Sequence, residues 1–150
     1  MSDNVDECLC CRCDEYFYIP CRKEYRGVGG IFFDDLDVKD SAVDAEAFTQ
    51  DVGKSILASW LPIAHRRHSL QFSPEQRDWQ QLRRGRYLEF NLLYDRGVKF
   101  GLDGGRIESI MVSAPPTVQW KYKKSTEPGP NSSEEGMLVV LRNPVDWVSL

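Results

Sequence analysis

The segment "EFNLLYDRGVKFGLDGGRIESIMVS", from Glu89 to Ser113, constrains this chain more than any other. Two apolar runs, 87–94 and 107–113, flank a short polar connection. Runs this apolar and this close read as adjacent antiparallel strands near the middle of a sheet. A hairpin turn needs only residues such as Gly, Asn or Asp. This connection also holds Arg96, Lys99 and Arg106, beside Asp95 and Asp103. The backbone N–H groups of Gly104 and Gly105, with the guanidinium of Arg106, can form a cradle for a carboxylate. The plainer alternative is a solvated hairpin with ion pairs such as Asp95 to Arg96 or Lys99, worth only about 0–1 kcal/mol each. Core strands would bring these charged ends to the rim of a cleft, which favours an anionic-ligand site.

The rest of the chain reads as helices and short strands. "YFYI" is a strand ended by Pro20, and "IFFDDL" is a buried strand closing in acids. Apolar residues recur at helical spacing from about Val43 to Ala64, with Asp40 or Ser41 available as cap and Pro62 expected to kink or split the helix. "SPEQRDWQQLRRG" is a helix start, with Ser73 as cap and Pro74 in the first turn, and Gly85 is expected to stop it. "TVQWKY" reads as a further strand, "STEPGPNSS" as a loop and 134–141 as a short helix. The expected class is α+β, an antiparallel sheet flanked by helices.

The 150 residues carry a net charge of −4, which argues against nucleic acid as a general partner. No apolar run approaches the roughly 18 residues of a membrane span. The acidic start "MSDNVDECLCC" has no apolar signal core, so the chain as written is expected to be cytoplasmic. Its five cysteines, Cys8, Cys10, Cys11, Cys13 and Cys21, are a poor disulfide framework. They lack the paired spacing of common zinc folds, and Cys21, His65 or His68 would have to complete a site. Asp34, Asp35 and Asp37 could hold a divalent cation, but such acids more often solvate a strand end. The expectation is no metal. In "RGVGG" the glycines precede a strand, the wrong order for a phosphate loop. They mark a bulge, or a place where a planar ligand approaches the backbone beside Arg22 and Arg26.

Four stretches together resemble the oxygen-dependent coproporphyrinogen III oxidase family: "CDEYFYIPCRKEYRGVGGIFFDDLD", "WQQLRRGRYLEFNLLYDRGVKFGL", "GGRIESIMVSAPPTVQWKY" and a final "DW". The resemblance runs from Cys13 to Trp147 and covers roughly the C-terminal half of the family. It divides the chain into residues 1–12, an unrelated and poorly ordered Cys-containing lead-in, and residues 13–150, a partial oxidase domain. It implies an α+β sandwich and the O2-dependent oxidative decarboxylation of two propionates of coproporphyrinogen III, giving protoporphyrinogen IX in haem biosynthesis. Molecular oxygen would be co-substrate, with no other cofactor. The resemblance further implies substrate contacts at Gly104, Gly105 and Arg106. Arg26, Asp95, Arg96 and Lys99 would line or support the cleft, with Asp95 anchoring its neighbouring arginine. The stretch from Tyr87 to Lys121 would contribute to a homodimer interface, or to pairing with a full-length subunit. The family's proton-donor histidine lies in the part this sequence does not match, so no catalytic residue is assigned here. Cys21 stands where the family has a histidine. On this basis the chain is an oxidoreductase of haem biosynthesis, or else a non-catalytic fragment that dimerises or binds tetrapyrroles.

Overall fold

The Ser73 hydroxyl accepts a hydrogen bond from the Gln76 N–H, and the Ser73 N–H donates one to the Gln76 side-chain oxygen. This reciprocal cap starts the helix that organises the larger part of the molecule. The computed structural model describes residues 9–33, 44–122 and 127–147. In chain order its elements are α1 (Leu9–Tyr16), β1 (Tyr18–Ile19), β2 (Glu24–Tyr25), α2 (Ala45–Arg67), α3 (Pro74–Leu93), α4 (Arg96–Leu102), α5 (Ile107–Met111) and α6 (Ser133–Arg142). The α+β class therefore stands, with an antiparallel sheet of two strands among the described residues.

The central hairpin expected from the sequence is absent. Residues 87–93 continue α3, Tyr94 caps it, and 107–111 form α5. The reason is visible along α3. Leu82, Gly85, Arg86, Phe90 and Asn91 are its buried residues, recurring once per turn as 82, 85/86 and 90/91, so the buried stripe follows the helical period and not the two-residue period of a strand. Gly85 does not stop the helix. A Cβ there would lie 2.5 Å from the Gln119 carbonyl oxygen, and the neighbouring Gln119 N–H donates to the Gln81 carbonyl at 3.1 Å. Glycine lets segment 117–122 run against the helix. That segment, like 31–33, is not a strand.

The chain separates into two compact units. In the smaller, α2 is capped by Asp44, which accepts from the Glu46 and Ala47 N–H groups, and it runs on as one helix through Pro62. The cap is thus Asp44; the expected caps Asp40 and Ser41 lie outside the described residues, as do Asp34, Asp35 and Asp37. The larger unit holds the core: Ile19, Phe90 and Leu141 are almost fully enclosed, with Cys13, Leu82 and Leu138 beside them. Tyr16 stacks on Phe32 with centroids 4.5 Å apart, and Phe17 meets Phe32 and Phe90 edge-on, each at 5.2 Å. β1 pairs with β2 in the register Tyr18 to Tyr25 and Ile19 to Glu24. Helix α1 begins at Leu9, so it crosses the expected division at residue 12, while residues 1–8 lie outside the described set. No described helix is long and apolar enough to cross a membrane.

Candidate functional site

The β1–β2 hairpin carries Arg22 in its turn, Glu24 in β2 and Arg26 just after it. Helix α3 presents Arg83, Arg86, Glu89 and Asn91 toward them. Arg22 donates to Glu89 from Nε at 2.9 Å and from Nη2 at 2.5 Å, a two-pronged contact. Glu89 also accepts from Arg86 Nη1 at 3.2 Å and from Trp120 Nε1 at 3.1 Å. Arg83 Nη1 donates to Glu24 at 2.8 Å, and Arg86 Nε lies 3.6 Å from the same carboxylate. Glu24 and Arg86 are buried. Buried charges persist only when paired, and here three guanidiniums share two carboxylates. Burial pushes the Glu89 carboxyl up, but the hydrogen bond from Arg22 and the charge of Arg86 outweigh it and hold the group below its ordinary range. Burial draws the Arg86 guanidinium down, and the hydrogen bond to Glu89 holds that of Arg22 up.

Arg26 stands apart from this network. Its Nη1 donates to Asn91 Oδ1 at 2.7 Å, and the guanidinium lies over the rings of Phe17, Tyr87 and Phe90 at 3.8, 4.7 and 5.1 Å. Three aromatic faces and one amide fix it in place. Among the described residues it has no carboxylate ion-pair partner. Burial lowers its pKa from the usual guanidinium value. Arg26 lines a cleft of about 410 Å³, with Phe17, Phe32 and Tyr87 on its apolar walls and Gly27, Gly29 and Gly30 on another. Gly29 and Gly30 have φ of +56° and +146°, and a Cβ on Gly30 would come within 3.1 Å of Cys13 Sγ. The glycines there meet a backbone and space requirement, and they leave main chain facing the cleft. Asp14 also lines it, and burial raises its carboxyl above the usual carboxylate value.

The other residues singled out from the sequence are placed differently. Asp95 caps α4, accepting from the Val98 N–H at 2.7 Å, and the Tyr16 hydroxyl reaches its other oxygen at 3.5 Å. The Arg96 N–H donates to that hydroxyl at 3.3 Å, and its guanidinium sits 5.6 Å from the Tyr16 ring. Because Tyr16 stacks on Phe32, Asp95 and Arg96 brace a wall of the cleft without lining it. Lys99 is exposed on α4. Gly104, Gly105 and Arg106 form an exposed turn between α4 and α5. The Gly105 N–H is taken by the Gly101 carbonyl at 2.9 Å, so one donor of the expected cradle is already engaged. None of these four lines the cleft. His65 and His68 have ring centroids 6.2 Å apart, and His68 Nδ1 faces the Ala64 and His65 carbonyls. Among the described residues no group of three or more His, Cys, Asp or Glu could hold a metal ion. Asn91, Glu89, Arg86 and Asp14 were not singled out from the sequence. The helical recurrence of Leu82, Arg86, Phe90 and Asn91 was the signal for Arg86 and Asn91; nothing local marked Glu89 or Asp14.

A family model described as coproporphyrinogen III oxidase matches residues 5–147. The mitochondrial oxygen-dependent coproporphyrinogen-III oxidase of Homo sapiens is 51% identical over 138 residues, 91% of this chain and 30% of that protein. The chloroplastic enzyme of Glycine max is 50% identical over 137 residues, 91% of this chain and 35% of its own length. The oxygen-dependent coproporphyrinogen-III oxidase of Francisella tularensis is 49% identical over 137 residues, 91% of this chain and 43% of its own length. The chain thus spans about a third to two fifths of the length of these relatives.

Proposed function

The chain belongs to the coproporphyrinogen III oxidase family, and from that premise we propose that it takes part in the oxidative decarboxylation of coproporphyrinogen III to protoporphyrinogen IX, with molecular oxygen as co-substrate. The observation that carries this reading is Arg26, a fixed guanidinium with no carboxylate partner among the described residues, in a glycine-walled cleft. A propionate would take its free N–H donors, while a flat pyrrole edge approaches the glycine backbone and the Phe17 and Phe32 rings. Asn91 orients the guanidinium, and Asp95 and Arg96 brace the cleft through Tyr16. Lys99, Gly104, Gly105 and Arg106 form an outer, exposed part of the proposed site. The domain is taken as residues 13–150 behind a short lead-in, and the cytoplasm as its place.

A second reading makes the chain a non-catalytic partner. Its support is the exposure of large apolar residues in 87–121: Phe100 is 85% exposed and Val112 81%. Such a surface suits a homodimer or pairing with a longer subunit. An aerobic assay separates the two readings. The purified chain is mixed with coproporphyrinogen III and protoporphyrin fluorescence is followed. Turnover that is lost in Arg26→Ala supports the first reading. Binding without turnover, with turnover restored by a longer family member, supports the second. Neither binding nor turnover would refute both.

A further inference from the structure

Helix α3 presents a second face, which meets the Glu24–Glu89 network at Arg83. Gln80, Arg83, Arg84 and Tyr87 recur at i, i+3, i+4 and i+7 and form one wall of an open groove. Ser113, Ala114, Pro115 and Pro116 form the other, and the volume is about 580 Å³. Two features give this groove a chemistry. The first is its charge: it has two guanidiniums and no carboxylate in its lining. Arg84 has no ion-pair or hydrogen-bond partner among the described residues. Arg83 is only partly satisfied, since Nη1 donates to Glu24 while Nη2 is enclosed and has no hydrogen-bond partner. A buried guanidinium nitrogen left in that state is costly. The second feature is its walls: Tyr87 lines one side and Ala114, Pro115 and Pro116 the other, the latter apolar surfaces with no side-chain donors to satisfy.

We propose that this groove, which adjoins the Arg26 cleft at Tyr87, is a second binding site, for a small carboxylate with a flat apolar body. The carboxylate meets the free guanidinium of Arg84, with Arg83 beside it. The apolar body lies between Tyr87 and the Pro115–Pro116 wall, and the size suits a ligand of one or two fused rings. The carboxylate group alone would not suffice, because exposed charge pairs are weak without an apolar contact to exclude water.

The test is protein-observed NMR on the full chain, titrating 2-naphthoate and reading the backbone amides of Ser113 and Ala114. Those amides are expected to shift saturably. The neutral 2-naphthamide, and acetate, which lacks the rings, should each bind at least about tenfold more weakly, as expected for loss of a charged hydrogen bond or of the apolar contact. Arg84→Gln, which keeps the stem and drops the charge, should weaken 2-naphthoate by a similar factor, and Arg84→Ala is read beside it so that a folding defect in one does not decide the result. No movement of these amides at saturating naphthoate, equal binding of the amide, or unchanged affinity in both Arg84 variants would overturn the proposal.

Discussion

Arg26 opens "RGVGG" and Arg106 closes "DGGR", so in sequence the two look like equivalent sites: a guanidinium beside paired glycines. In the folded chain they differ in kind. Arg26 is held by Asn91 and three rings in a cleft whose glycines face inward. Arg106 precedes α5 on an exposed turn, makes no side-chain cap, and follows a glycine whose N–H is already engaged. A ligand reaching Arg26 finds donors already ordered; one reaching Arg106 must immobilise a free side chain first, at about 0.5–1.5 kcal/mol. Preorganisation, more than residue type, separates a site from a charged surface.

The largest expected effect lies under the cleft. Phe90 is almost fully enclosed and packs against Tyr16, Phe17 and the Arg26 guanidinium. Phe90→Ala should cost about 3–5 kcal/mol in urea unfolding. Phe100, beside the exposed turn, should cost less than about 0.5 kcal/mol on the same change. Comparable losses at the two sites would erase the contrast.

Glu89 comes next. Glu89→Gln leaves Arg86 and Arg22 short of a charge, and about 3 kcal/mol is expected at neutral pH, reduced by the partial exposure of Arg22. The sign of the pH effect follows from its lowered pKa. A depressed folded value means the stabilisation is complete above the ordinary 4.5 and is lost as pH falls through the lower folded value. The difference between the wild-type chain and Glu89→Gln should therefore shrink when urea midpoints are taken from pH 7 down to pH 3. A difference that grows on acidification would mean that the carboxylate is not held by these arginines. A smaller effect is expected at Asn91. Asn91→Ala removes the amide that orients Arg26 and should weaken carboxylate binding by about threefold to tenfold, in line with one hydrogen bond. Calorimetry showing no change would leave the aromatic rings as the sole support of Arg26.

Local capping and composition were legible in the sequence where they act over a few residues. Ser73 with Pro74 and the short helix near 134–141 stand, and of the expected strand "YFYI" only Tyr18–Ile19 does, since Tyr16 ends α1. The helix through 87–93 was misread because Glu89, Phe90, Asn91 and Leu92 alternate polar and apolar over a strand-length window. Only the longer window back to Leu82 shows the helical stripe, and that stripe includes Arg86 and Asn91, polar residues whose burial depends on partners from a distant hairpin. Gly85 looked like a stop because its tertiary neighbour, the Gln119 carbonyl, cannot be seen locally.

The central claim is that Arg26, more than the exposed turn, carries carboxylate recognition. The most direct test is a fluorescence titration of coproporphyrin III, a stable tetracarboxylate, against the wild-type chain, Arg26→Ala and Arg106→Ala. The account predicts at least about a tenfold loss of affinity for Arg26→Ala, as expected of a charged hydrogen bond, with folding checked by circular dichroism. For Arg106→Ala it predicts less than about a threefold loss, as for an exposed pair. Loss at Arg106 with Arg26→Ala unchanged would contradict it.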